Sequence, residues 1–415
     1  MDATGLHSAP HAGAAGRCPI DHSALSQQKT ARTIEPPRPP VERDARGVWR
    51  IRGYAAARTV LRSADTRQAG FRAETALQRS GTRRLPILFQ DGPPHHEQRR
   101  LTARYFTPAT VSKNYRELME RYVSQAVGAL RRRGQIDLSA LSMWLAVRVA
   151  AQVVGLTDSS LPGMDRRLDA FFSNRVGEQG WQLRLQRLWG RSRILAFFWL
   201  DVKPAIAARR RQPREDVISH LLAQGSTDTE ILTECITFGA AGMATTREFI
   251  SVAAWHMLEL PDLRAQYLAG DEEQRHALLH EILRLEPVVG HLYRRATADL
   301  SLDDGAITIP QGSLIDLDVY AINADAELVG EHPLLLCPGR PLAEERAGAA
   351  VMSFGDGHHR CPGAYIAIQE TDILLQQLLR IEGLRIERKP SITWSELTES
   401  YEVRDFIVSI EGSKK

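Results

Sequence analysis

The chain has 415 residues, 43% hydrophobic and 25% charged, a balance that excludes disorder of the whole chain and allows a large core around a small molecule. A formal net charge of +3 is too small a bias to predict a nucleic-acid partner, and the basic runs Arg131 to Arg133 and Arg209 to Arg211 read as solvated helix ends. Cys18, Cys235, Cys337 and Cys361 lie far apart, against a zinc ribbon or a secreted disulfide scaffold, and no apolar run or leader marks a membrane anchor; a soluble cytoplasmic protein is expected.

In chain order, residues 1–44 lack apolar periodicity, include the proline-rich run Glu35 to Pro40, and read as a flexible arm; Cys18 and His22 within it are two ligands, too few to close a metal site. Residues 45–415 read as one unit. A short strand at Val48 to Ile51 precedes a helix from Tyr54 to Leu61, and a long helical stretch begins near Pro93. Apolar residues at three- and four-residue spacing predict helices over 113–132, 139–156, 165–176, 191–210, 214–224, 229–258 and 273–286. Strand-like alternation is confined to 297–319 and 384–412. The expected fold is mainly α with a minor β portion.

The sharpest motif is Phe354-Gly-Asp-Gly-His-His-Arg-Cys-Pro-Gly363, glycines around one cysteine just before a helix starting at Ala364. A metal-bound thiolate is an anion that needs backbone N–H donors and a helix N-terminus facing it. Gly355, Gly357 and Gly363 are expected at positive φ, letting the chain approach a flat macrocycle closely, and His359 and Arg360 add positive charge. At all six defining positions this segment resembles the cysteine loop of the cytochrome P450 family, Phe-Gly-x-Gly-x-His-x-Cys-x-Gly.

The resemblance implies a single triangular, mainly α domain with haem b enclosed between the long central helix and the cysteine loop. It makes Cys361 the axial ligand, with Phe354, Gly355 and Gly363 shaping the loop. It extends to Glu281 and Arg284, one helical turn apart some 80 residues upstream, with Arg340 as their third partner in a buried brace. His95 and Arg99, at i and i+4 on a Pro-initiated helix, together with Arg294 and His359, match the family's contacts to the haem propionates. In the central helix, Phe238-Gly-Ala-Ala-Gly-Met-Ala-Thr-Thr246 resembles the oxygen-binding groove, with Ala241 against the cofactor and Thr245 as the oxygen-activating threonine. Ala244 stands where the family carries an acid. Glu248, one turn on, is the candidate replacement, although a helix-bracing role suits it better. The loss of the acid alone points to an adapted site.

Family geometry places the substrate pocket among Ile87, Leu88 and Phe89, the helix face of Phe238, Ala241 and Met243, and the segment Val288, Val289, Gly290, His291 and Leu292. These are mostly apolar residues, suited to an apolar or aromatic substrate. Trp181, Trp189, Phe197, Phe198 and Trp199 fall where the family's lid helices lie, and core packing accounts for them equally well.

The implied function is dioxygen-dependent oxidation of a small organic molecule, in the manner of secondary metabolism. Electrons would come from a separate ferredoxin and its reductase, and a monomer is expected. A peroxide-using or oxidative-coupling enzyme is the rival that Ala244 keeps open, and a non-catalytic haem sensor is the rival outside enzymology.

Overall fold

The computed structural model describes residues 27–30, 38–71, 73, 84–172, 192–344 and 347–412. Helices α1 (Tyr54–Arg62), α2 (Gly92–Thr102), α3 (Arg116–Arg133), α4 (Leu138–Val154) and α5 (Met164–Phe172) are followed by α6 (Lys203–Arg211) and α7 (Val217–Ala223). Local chemistry sets their ends. Asp137 caps α4 by accepting from the Ser139 and Ala140 amides, and α8 (Asp228–Gly239) opens on a reciprocal Thr227 and Glu230 capping box.

Helix α8 runs through a π-helical turn at Ala240–Ala244 into α9 (Thr245–Glu259). The sequence predicts an uninterrupted α-helix here. Its cluster of small residues instead widens the backbone ladder for one turn, a distortion that recurs at functional sites. Every residue of α9 from Thr246 to Met257 is buried, the mark of a helix enclosed on all sides. Beyond it lie α10 (Pro261–Ala269), α11 (Glu272–Leu285) and α12 (Ala364–Leu379).

Strands β1 (Val41–Arg43), β2 (Trp49–Ile51), β3 (Thr66–Gln68), β5 (His291–Ala296) and β8 (Leu314–Asp318) form one sheet in the order β1-β2-β8-β5-β3, parallel only between β2 and β8. β4 (Gln135–Asp137), β12 (Ile407–Ile410) and β9 (Leu384–Arg388) form a second sheet, while β6 (Leu300–Leu302) pairs with β7 (Ile307–Ile309) and β10 (Ser391–Ser395) with β11 (Ser400–Arg404). β5 starts before the expected strand region because its inward-facing Arg294 is buried, which hides the alternation of apolar and polar residues.

The large apolar core joins α3, α4, the central helix, α11 and α12, and a smaller one lies between α1 and the five-stranded sheet. Ala350 belongs to the first and Met352 to the second, so the segment leading into the cysteine loop sits at their junction.

Two expectations need correction. The arm expected over 1–44 is fastened where it is described: β1 pairs with β2, and the Lys29 and Thr30 amides donate to the buried Glu286 carboxylate. Arg209 is no solvated helix end but is 2% exposed, ion-paired to Asp158 at 2.6 Å and to Asp216. Arg131 to Arg133 are exposed, as expected. Phe197 packs in the core and Trp199 is 55% exposed, whereas Trp181, Trp189, Cys18 and His22 lie outside the described residues.

Candidate functional site

A cavity of about 1020 Å³ lies between the central helix and the cysteine loop. Cys361 sits deep in the fold with its sulfur open to this space, and its amide donates to Phe354 O at 2.8 Å, closing the loop. Burial pushes the Cys361 thiol above its ordinary value, while the Gly363 amide and the guanidiniums of Arg99 and Arg360 favour the thiolate. The N-terminus of α12 begins directly after it.

Gly355 and Gly357 take positive φ as expected, but Gly363 does not: its φ is −85°. A Cβ there would stand 3.9 Å from the Cys361 sulfur, an ordinary van der Waals contact, so neither backbone conformation nor crowding among the described residues requires glycine at 363. At Gly357 a Cβ would meet the Leu61 carbonyl at 2.1 Å, so only glycine lets the loop close on α1. Arg62 pins the same contact by pairing with Asp356 at 2.7 Å.

On one side of the cavity His95, Arg99, Arg294 and His359 converge. The His95 and His359 rings stack at 4.1 Å, and His359 Nε2 lies 3.0 Å from Asp91 Oδ1. Desolvation drives the His95 pKa down to about 3, helped by His359 and Arg99. Its buried Nδ1 finds no hydrogen-bond partner among the described residues. Arg294, 4% exposed, donates to neutral acceptors, Gln68 Oε1 and Tyr293 O, and desolvation lowers its pKa to about 10. Four nitrogenous side chains thus face a space where Asp91 is the nearby carboxylate. Such a cluster calls for an anion in the cavity, and a cofactor carrying carboxylates meets that need.

Behind the loop is the expected brace. Arg284 binds Glu281 in bidentate fashion at 2.7 and 2.8 Å, and Arg340 Nε lies 3.2 Å from Glu281 Oε1. Both members of the first pair are buried, at 3% and 1% exposure. Arg284 Nη1 also donates to Asn323 O and Pro333 O, each at 2.8 Å. Asn323 carries the brace onward: its Oδ1 accepts from the Met352 amide at 2.8 Å, and its Nδ2 donates to Ser353 Oγ at 2.7 Å. No motif in the sequence marks Asn323.

Across the cavity, Ala241 and Thr245 line the wall, and Thr245 Oγ1 donates to Ala241 O at 2.5 Å. Ala244 ends the π turn and is not among the lining residues, so the adapted-site expectation cannot rest on room for substrate beside it. Glu248 is also absent from the wall. It is buried and fully engaged, accepting from Arg247 Nε at 2.8 Å, the Val403 amide at 2.6 Å and Arg404 Nη1 at 2.8 Å. It braces the central helix against β11 and is no catalytic acid. The cavity wall itself carries a different buried carboxyl group. Glu370 on α12, 2% exposed, lines the wall with an Oε1 that has no partner among the described residues, and burial raises its pKa to about 8.

Ile87, Leu88, Phe89, Phe238, Val288, Val289 and Leu292 line the cavity as expected. Met243 and His291 do not. The π turn directs Met243 into the core at 0% exposure, and His291 Nδ1 pairs with Asp316 Oδ1 at 2.8 Å. The β10–β11 hairpin falls within the strand region expected over 384–412, but no motif marks it as part of the cavity, whose wall its Trp394, Leu397 and Thr398 join. A Cβ on Gly290 would stand 2.1 Å from Glu399 O, so glycine there admits the hairpin. The exposed Arg100 is neutralised by Glu97 at 2.8 Å, leaving Arg360 and His358 as the exposed bases beside the cysteine.

A cysteine sulfur in a glycine loop, a carboxylate-seeking cluster and a widened central helix define a haem-thiolate protein. The cytochrome P450 family model matches residues 275–382, the stretch holding the brace and the cysteine loop. The biotin biosynthesis cytochrome P450 of Bacillus subtilis (strain 168) is 25% identical over 85% of this chain and 86% of its own length. Cytochrome P450-SOY of Streptomyces griseus is 28% identical over 83% and 81%. The fold matches a solved structure of P450BioI in complex with an acyl carrier protein ligated with hexadec-9Z-enoic acid, with a TM-score of 0.72, 22% identity, and 90% and 95% of the two chains covered. The chain belongs to the cytochrome P450 family and is an oxidoreductase, a monooxygenase with a haem-thiolate cofactor. Among the described residues no helix is long and apolar enough to cross a membrane.

Proposed function

We propose that this monooxygenase oxidises a small, largely apolar molecule of secondary metabolism at haem b, using dioxygen and electrons from a separate ferredoxin and reductase, as a monomer. One observation carries the reading: the Cys361 sulfur and Thr245 line the same cavity, with the donor cluster to one side. Cys361 is the proposed axial ligand. His95, Arg99, Arg294 and His359 would bind the two propionates, and Glu281, Arg284 and Arg340 would hold the loop. When bound, the haem supplies the iron that activates dioxygen, and thiolate donation favours O–O cleavage.

This chain's residues do the remaining work. Phe89, Phe106, Phe238, Phe249 and Trp394 give the substrate wall an apolar, aromatic surface. The apolar acyl group in the similar P450BioI complex supports a substrate of that character. Thr245 presents a hydroxyl at the π turn. Glu370, protonated at neutral pH, is the acid that the wall offers in place of a carboxyl at Ala244.

Peroxide use is a second reading, favoured by the absence of a carboxyl beside Thr245. Product formation with dioxygen, ferredoxin and reductase, compared with peroxide alone, tests the proposal. Turnover only with peroxide selects the second reading, and no product with either oxidant selects a haem sensor.

A further inference from the structure

Glu234 is a buried carboxylate on α8, 4% exposed and away from the chemistry described above. One oxygen, Oε1, accepts two hydrogen bonds from different parts of the molecule. The Ile87 amide donates to it at 2.9 Å, and Gln98 Nε2 donates at 2.8 Å. Ile87 opens the short turn Ile87–Phe89, whose residues line the cavity, whereas Gln98 lies on α2 between the proposed propionate ligands His95 and Arg99. Gln90 Nε2 closes the arrangement by donating to Gln98 Oε1 at 2.8 Å. One turn earlier on α8, Glu230 Oε1 accepts from the Arg84 amide at 3.1 Å, so two carboxylates spaced by a helical turn meet two amides of the same loop.

We propose that Glu234 is a positioning residue of this pocket: through Oε1 it ties the loop presenting Ile87, Leu88 and Phe89, and the helix presenting His95 and Arg99, to one point of the central helix. The substrate wall and the donor wall are thereby set together. The inference rests on the cavity being the cofactor and substrate site proposed above.

The physical reason lies in the buried donors. Ile87 is itself buried, and its amide begins a turn too short to satisfy it internally. Gln98, 2% exposed, has no water-facing alternative for its amide group. Removing the acceptor leaves both donors unsatisfied, which the loop relieves most readily by moving outward to water. A glutamine in place of Glu234 keeps an acceptor oxygen of the same reach. The claim is therefore one of geometry, and the conservative variant separates it from a requirement for charge.

The test uses the haem-loaded protein and two readouts. Amide hydrogen exchange follows Arg84 to Gln90. Binding of a phenyl-substituted imidazole, whose ring fills an apolar cavity while its nitrogen perturbs the iron spectrum, follows the pocket. Glu234→Ala is expected to speed exchange over Arg84 to Gln90 at least tenfold and to weaken probe binding about tenfold, mainly through faster dissociation. Glu234→Gln stays within threefold of wild type in both. Gln98→Met, which removes one donor, shifts both readouts in the same direction by less, and it serves alone if Glu234→Ala fails to fold. Wild-type exchange and affinity in Glu234→Ala or Gln98→Met overturn the inference, as does a Glu234→Gln as loose as the alanine variant. A wild-type protein that does not respond optically to the probe contradicts the reading of the site, and the exchange measurement still decides the positioning claim.

Discussion

The cysteine side of the cavity and its substrate side are built by different means. Around Cys361 the contacts are polar and specific: buried Glu281 with Arg284 and Arg340, buried Asn323 with Met352 and Ser353, and, nearer the surface, Asp356 with Arg62. The substrate side presents an apolar surface assembled from distant segments, the loop at Ile87, the π turn, Val288 and the β10–β11 hairpin, and the polar bonds that fix these segments, such as those to Glu234 and Glu248, lie behind that surface. A polar brace specifies one geometry and fails when a partner is lost, whereas an apolar wall tolerates exchange of side chains. The first arrangement suits a site that must always hold the same cofactor. The second suits one shaped for a particular substrate.

The largest effect is expected where the brace is cut. Glu281→Ala or Arg284→Ala strands a buried charge, a loss of about 3–5 kcal/mol, so little haem-loaded protein accumulates. Haem content per purified chain measures this. Normal loading in both variants would remove the distinction between the two sides.

A smaller effect follows from Glu370. Its ordinary pKa is 4.5 and its folded value is about 8, so between these limits the folded chain holds a proton that the unfolded chain has released. Stability therefore falls as pH rises through that window, by up to about 1.4 kcal/mol per pH unit. Glu370→Gln has no such slope and gains on the wild type from pH 5 to 8 in denaturant titrations. Parallel stability curves would show that the carboxyl is not protonated in the fold. The same variant is expected to lower product formed per electron consumed several-fold.

Ala244→Asp sharpens the comparison further. Since Ala244 is outside the wall, the added acid is expected to leave the product unchanged and to raise coupling by a modest factor. A changed product would restore the view that the alanine makes room for substrate. The smallest effect belongs to the exposed bases: Arg360→Ala should slow reduction by an acidic ferredoxin a few-fold and flatten its salt dependence. An unchanged rate at low salt would place the docking face elsewhere.

How far the site could be read in the sequence follows the same division. The cysteine loop, the Glu281–Arg284 pair and the donors His95, Arg99, Arg294 and His359 were legible because each is a fixed residue type at a fixed spacing. Arg340 was legible only through the resemblance, which implies a second arginine beyond the pair, and its Nε lies 3.2 Å from Glu281 Oε1. Helix positions were readable from periodicity, but the π turn was not, because small residues carry no amphipathic signal, and with it went the placement of Met243. His291 was misplaced because its partner Asp316 is remote in sequence and comes to it across the β5–β8 pairing. Glu248, Glu370 and Glu234 are indistinguishable as letters. Burial and partners separate a brace, an acid and a tether.

The central claim is that Cys361 binds the haem iron as a thiolate. It is tested most directly by the absorption spectrum of the reduced, carbon monoxide-bound protein. The wild type should show the strongly red-shifted Soret band of a thiolate ligand, and Cys361→Ser should lose it. A red-shifted band that survives Cys361→Ser, or one that requires Cys18, Cys235 or Cys337 instead, would contradict the account.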